Sequence, residues 1–104
     1  MAMIPLQRDM GGVKSVTYKG ANGIQTINSG SSLVINCTTK VGTEDLTDYE
    51  VVGIGGYLIG SINGLMVKMI DVANKQLGVV NYTNTAISNY DTSNVSMTIY
   101  FKRK

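Results

Sequence analysis

The sequence has no histidine and no tryptophan, and only one cysteine, one proline and one phenylalanine. Without histidine, neither a serine nor a cysteine triad can be assembled in its usual form. A lone Cys37 excludes an intrachain disulfide. It falls in the run Leu33-Val34-Ile35-Asn36-Cys37, alternating with Leu33 and Ile35 toward one face, which is the setting of a small buried hydrophobe rather than a nucleophile. Charged residues are also scarce, at 15% of the 104 residues, against about a quarter in soluble proteins. The net charge is only +2, and the cations are scattered except for Lys102-Arg103-Lys104. That run reads as a solvated tail, so nucleic acid is not an expected partner. No stretch approaches the roughly 20 apolar residues that span a bilayer, so membrane insertion is not expected either. The opening MAMIPLQRDM lacks the basic start, apolar run and small-residue cleavage site of a secretory signal peptide.

What is abundant is turn chemistry. Twelve Gly and nine Asn, among many Ser and Thr, describe short strands joined by tight turns. At 11.2 kDa the protein is expected to form one domain, residues 12–104, preceded by an arm at residues 1–11. In the arm, Met3, Ile4, Leu6 and Met10 could pack on a neighbouring subunit, and Gly11-Gly12 supplies a joint. Residues 13–18 read as an edge-like first strand and 24–27 as a short second one. Residues 32–38 form a cleaner third strand, with Leu33, Ile35 and Cys37 inward. Residues 49–54 are apolar again, and Gly53, Gly55 and Gly56 mark a bulge or bend. The closing strand is the clearest, with Val95, Met97, Ile99 and Phe101 on one face and Ser96, Thr98, Tyr100 and Lys102 on the other.

The middle of the sequence is organised around Asn63-Gly64, which lies between two apolar runs. An Asn-Gly pair accepts the positive φ values of a type I′ turn, so the spacing predicts a hairpin of 57–62 against 65–72. A third strand, 77–83, would follow the polar turn Asn74-Lys75-Gln76. A helix over 65–77 competes with this reading, because Leu65, Met66, Met69, Ile70, Ala73 and Leu77 also fit helical spacing. The β-branched residues Val67, Ile70, Val72, Val79 and Val80 favour strands. Together these signals predict an all-β fold: a small β-sandwich, jelly-roll-like or immunoglobulin-like, of seven to eight short antiparallel strands. Several strands are apolar on both sides (Val51 and Val52, Leu58 and Ile59, Met66 and Val67), which points to a second buried surface and hence a homo-oligomer.

Candidate chemistry is sparse. Gly53-Ile54-Gly55-Gly56 lacks the lysine and the strand–loop–helix setting of a phosphate loop and reads as a bend. Glu44, Asp45, Asp48 and Glu50 could serve as acid–base partners or Ca²⁺ ligands, but no EF-hand-like pattern is present, and a solvated loop is the plainer reading. No metal, cofactor or catalytic residue is expected. The N-x-S/T sequons at Asn36, Asn81 and Asn94 are about as frequent as chance allows in so Asn-rich a protein. The tyrosines are a better lead. Tyr90 and Asp91, flanked by Asn89 and Thr92, combine an aromatic face with hydrogen-bonding side chains, as a sugar site requires, and Tyr49 beside Asp48 is a second such pair.

The order of the C-terminal half carries a resemblance. A Gly-rich strand and a hairpin lead into Val79-Val80-Asn81-Tyr82-Thr83-Asn84-Thr85. A Ser/Asn loop and the closing strand Val95-Ser96-Met97-Thr98-Ile99-Tyr100-Phe101-Lys102 then follow. In this, and in the turn at residues 29–32 leading into Leu33-Val34-Ile35-Asn36, the protein resembles the head domains that end bacteriophage tail fibres and receptor-binding proteins. The resemblance implies a small β-sandwich that forms homotrimers and binds host-surface saccharides or proteins, on a virion or extracellular surface after cytoplasmic assembly. It contains no ligand motif and so transfers no binding residue. It departs from the family in having only a short arm upstream and no fibre shaft. A structural virion or assembly (decoration) subunit without a small-molecule ligand is the alternative.

Overall fold

The computed structural model describes residues 12–60 and 62–104, so the expectation of an arm at residues 1–11 lies outside the described residues. The fold is all-β. Its strands are β1 (Val13–Gly20), β2 (Ile24–Ile27), β3 (Ser32–Lys40), β4 (Tyr49–Leu58), β5 (Leu65–Asp71), β6 (Gln76–Asn81), β7 (Ile87–Asp91) and β8 (Ser96–Arg103). Six of them form a curled antiparallel sheet in the order β4-β8-β1-β3-β6-β5, and β2 and β7 form a small second sheet. The result is a small β-sandwich of eight strands, as the alternation predicts. Residues 65–71 are a strand and not a helix. The β5–β6 half of the expected meander is present, paired from Leu65↔Asn81 to Asp71↔Gln76.

The hairpin at Asn63-Gly64 does not form. β4 pairs along its length with β8, from Tyr49↔Arg103 to Leu58↔Ser96, and lies at the edge opposite β5. Asn63-Gly64 is still a turn, with Gly64 at φ +104°. It ends a connection that carries the backbone from one edge of the curled sheet to the other. The physical reason is competition for the β4 edge. β8 sets its buried Met97, Ile99 and Phe101 across from Tyr57, Ile54 and Val51, while β5 is paired along its length with β6. The glycines of β4 absorb the mismatch, since the register shifts between Val51 and Gly53 and again between Ile54 and Gly56.

The core runs through both halves of the sheet. Val16, Ile35, Cys37, Leu77, Val79, Met97 and Ile99 are buried together with Ile27 and Tyr90 from the second sheet. The two halves meet at β1 and β3, which pair only from Tyr18↔Lys40 to Gly20↔Cys37. The first part of β3, Ser32–Asn36, pairs instead with β6. Asn81 at the end of β6 is fully buried, and its side-chain amide donates to Ile27 O at 2.9 Å, which ties the second sheet to the first.

Candidate ligand-binding cleft

A cleft of about 520 Å³ opens beside the second sheet, lined by Gly60, Ile62, Asn89, Tyr90, Asp91 and Asn94. Two segments build it. One is the connection that leaves β4, and the other runs from β7 through the 3-10 turn Thr92–Asn94. What holds them together is Tyr90. Its ring is 2% exposed, and its hydroxyl donates to Ile59 O at 2.6 Å. Burial pushes the phenol up to about 12, with a smaller contribution from Cys37, so it stays a neutral donor across the physiological range.

The polar lining comes from three side chains. Asn89 takes a left-handed conformation at φ 57°, which Asn tolerates better than most residues, and stands exposed beside the buried Tyr90. Asp91 caps the 3-10 turn, accepting from Ser93 N at 3.0 Å and Ser93 Oγ at 2.7 Å. These bonds hold its carboxyl below the usual range, so it is an ionised acceptor at neutral pH. Asn94 ends the same turn and is exposed. Opposite them, Ile62 offers an apolar wall that is 38% exposed. Thr92 is buried behind the lining; its hydroxyl donates to Gly23 O and accepts from Asn22 N, fixing the turn on the start of β2.

Of the residues expected from sequence to bind a ligand, Asn89, Tyr90 and Asp91 come together here. Tyr90 plays a different part from the one expected, because its ring belongs to the core and offers no face for stacking. Tyr49 and Asp48 lie elsewhere. Tyr49 pairs with Arg103 at the far end of β8, seven residues from Ser96, or roughly 23 Å at the usual strand rise. The Tyr49 ring is already in contact with cations: Lys14 Nζ stands 4.5 Å and the Arg103 guanidinium 5.3 Å from its centroid. Asp48 is exposed, and its carbonyl accepts from Lys104 N. The two expected pairs therefore cannot form one site.

The loop carboxylates do not converge. Glu44 pairs with Lys14 at 3.0 Å, Asp45 accepts from Thr47, and Glu50 faces Lys102 at 3.9 Å. Among the described residues no group of three or more His, Cys, Asp and Glu is placed to hold a metal ion. Sequence reasoning missed Gly60, Ile62 and Asn94 as lining residues. Their signal is weak, since two were assigned to a hairpin strand that does not pair, and the third was noted only as part of a sequon. No family model, curated protein or solved structure matches the sequence or its fold.

Proposed function

We propose that the protein is a non-enzymatic recognition module of the phage fibre-head type. In this reading it is homotrimeric, displayed on a virion surface, and holds a cell-surface glycan in the cleft beside β7. The observation that carries the reading is the cleft lining: two amides and one ionised carboxylate converge opposite an apolar wall, on a backbone pinned by Tyr90. Saccharide recognition uses that combination, since hydroxyls take amide and carboxylate partners while the C–H faces rest on apolar groups. A carboxylate held ionised by Ser93 suits an acceptor better than a general acid, which favours binding over hydrolysis.

Oligomerisation is supported by the apolar residues at the sheet edges. On β4, Leu58 is 69% and Val52 57% exposed; on β5, Met66 is 54% exposed. Those surfaces also favour the second reading, a structural virion or decoration subunit whose cleft is empty of function. Titration of the isotope-labelled protein with a panel of defined oligosaccharides separates the two. Saturable shifts at Ile62, Asn89, Asp91 and Asn94, abolished by Asn89→Ala, support the glycan reading. A panel that moves none of these residues overturns it. Light scattering tests the assembly: a mass near 11.2 kDa would remove the trimer.

A further inference from the structure

We infer that Asn63-Gly64, which follows the cleft-lining Ile62, is a site of spontaneous deamidation, and that the fold directs this chemistry there and away from the protein's other Asn-Gly pair. In the reaction the Gly64 backbone nitrogen attacks Asn63 Cγ. A new N–C bond forms, the Cγ–Nδ2 bond of the amide breaks, and ammonia leaves with the proton lost from Gly64 N. Water then opens the cyclic imide to aspartate or isoaspartate. Neither an oxidant nor a cofactor is needed.

The two Asn-Gly pairs are held in opposite ways. Asn22 is fastened on every side. Its Nδ2 donates to Val34 O at 3.1 Å and its Oδ1 accepts from Asn36 N at 2.8 Å. Its backbone N–H donates to Thr92 Oγ1, its carbonyl accepts from Gln25 Nε2, and Gly23 O accepts from Thr92 N. The Asn22 amide cannot swing onto Gly23 N without breaking two of these bonds. Asn63, by contrast, stands exposed at a turn between strands that do not pair with each other. The neighbour that makes it reactive cannot be exchanged. Gly64 is itself buried and its carbonyl accepts from Tyr82 N, but it sits at φ +104° and a Cβ there would lie 2.5 Å from Thr83 Cγ2, so the fold keeps at this position the residue with no side chain to hinder ring closure.

The product alters the cleft. Conversion places a negative charge next to Ile62, across the cleft from Asp91, and the isoaspartyl form adds a methylene to the backbone that follows this lining residue. The charge change disfavours anionic ligands in particular.

The test is peptide mapping of the intact protein aged in mildly alkaline buffer, reading the mass gain that accompanies replacement of –NH₂ by –OH. Releasing two hydrogen bonds at their usual net worth lowers the reactive population of Asn22 by roughly 10- to 100-fold, so Asn63 should convert faster than Asn22 by about that factor. In concentrated urea the two sites should convert at similar rates. Equal rates in the native protein, or faster loss at Asn22, overturn the inference. So does an undiminished mass gain in an Asn63→Gln variant. Backbone shifts of aged against fresh protein should differ at Ile62, Asn89 and Asp91; unchanged shifts there would refute the link to the cleft. None of these readouts depends on a glycan being bound.

Discussion

Asn81 offers the sharpest test of what holds the two sheets together. Its side chain is 0% exposed and its hydrogen-bonding capacity is used in full. Nδ2 donates to Ile27 O at 2.9 Å and Thr85 O at 2.8 Å; Oδ1 accepts from Thr83 N at 2.9 Å and Thr83 Oγ1 at 2.6 Å. Truncation in Asn81→Ala removes the side-chain donor from the Ile27 carbonyl and the acceptor from the partly buried Thr83 N, while Thr83 Oγ1 can still donate to Thr85 O at 2.9 Å. Summing one full buried-group penalty with fractional losses for the rest gives about 2–4 kcal/mol. That is a large share of the roughly 5–10 kcal/mol that stabilises a domain of this size. It corresponds to a fall in Tm of roughly 10–25 °C.

Asn81→Asp is the sharper variant. It is isosteric, but an ionised carboxylate would face Ile27 O and Thr85 O with nothing to donate, so at neutral pH it should cost more than alanine. Its folded-state pKa must then lie above the unfolded value of about 3.9. The folded state holds the proton more tightly, so the deficit is largest at neutral pH and shrinks as pH falls through the raised value. Urea unfolding followed by far-UV circular dichroism, at neutral pH and again near pH 4, measures both effects. A loss below about 0.5 kcal/mol for Asn81→Ala, the range of an ordinary surface change, would refute the account. So would an Asn81→Asp deficit that tracks wild type with pH.

Three further outcomes are expected. Gly55→Val should cost about 1–3 kcal/mol, because a Cβ there meets the Tyr100 ring at 2.9 Å, whereas Gly53→Val, with nothing within 4 Å, should cost far less; paired thermal melts decide it. Tyr90→Phe should cost about 1–2 kcal/mol at neutral pH by leaving Ile59 O without its donor. The phenol's folded value near 12 exceeds the unfolded value of about 10, so its stabilisation is present below pH 10 and lost as pH rises toward 12; base-induced unfolding should therefore move to higher pH in the Phe variant. At the acid end, Asp91 is held low by Ser93, so its contribution is present above about pH 4 and lost as pH falls through its folded value. An NMR titration of Ser93→Ala should show the Asp91 carboxyl returning toward its ordinary range.

Fold class was legible because alternation is a local signal. β8 declares itself through Met97, Ile99 and Phe101, which are buried together with Val95 just before it. The glycines of β4 likewise marked its bulges correctly. Partnership between strands was not legible, because an Asn-Gly turn reports only the local backbone. Whether the flanking runs then pair depends on which distant strands compete for them, and here β8 takes β4 while β6 takes β5. Tyr90 was misread for a similar reason. It is embedded in the polar stretch Thr83–Asn94, and the left-handed Asn89 just before it interrupts the period-two pattern that would have marked it as a core residue. Asn89 and Asp91 were recognisable as polar groups near one another, but the wall they face arrives from a connection about thirty residues earlier.

The register of β1 with β8 has a mechanical consequence. Val13 lies across from Lys102, and Arg103 N donates to Gly12 O, so both ends of this pair emerge at the same pole of the sheet. The cleft sits at the other pole, past Leu58 and Ser96. Tension applied between Gly12 and Arg103 would peel the two strands apart one rung at a time. A pull transmitted from an anchor at Gly12 to something gripped in the cleft would run along the strands instead, and would strain all seven β1–β8 pairs, Val13↔Lys102 to Lys19↔Ser96, in parallel. The same ladder is weak under the first load and strong under the second.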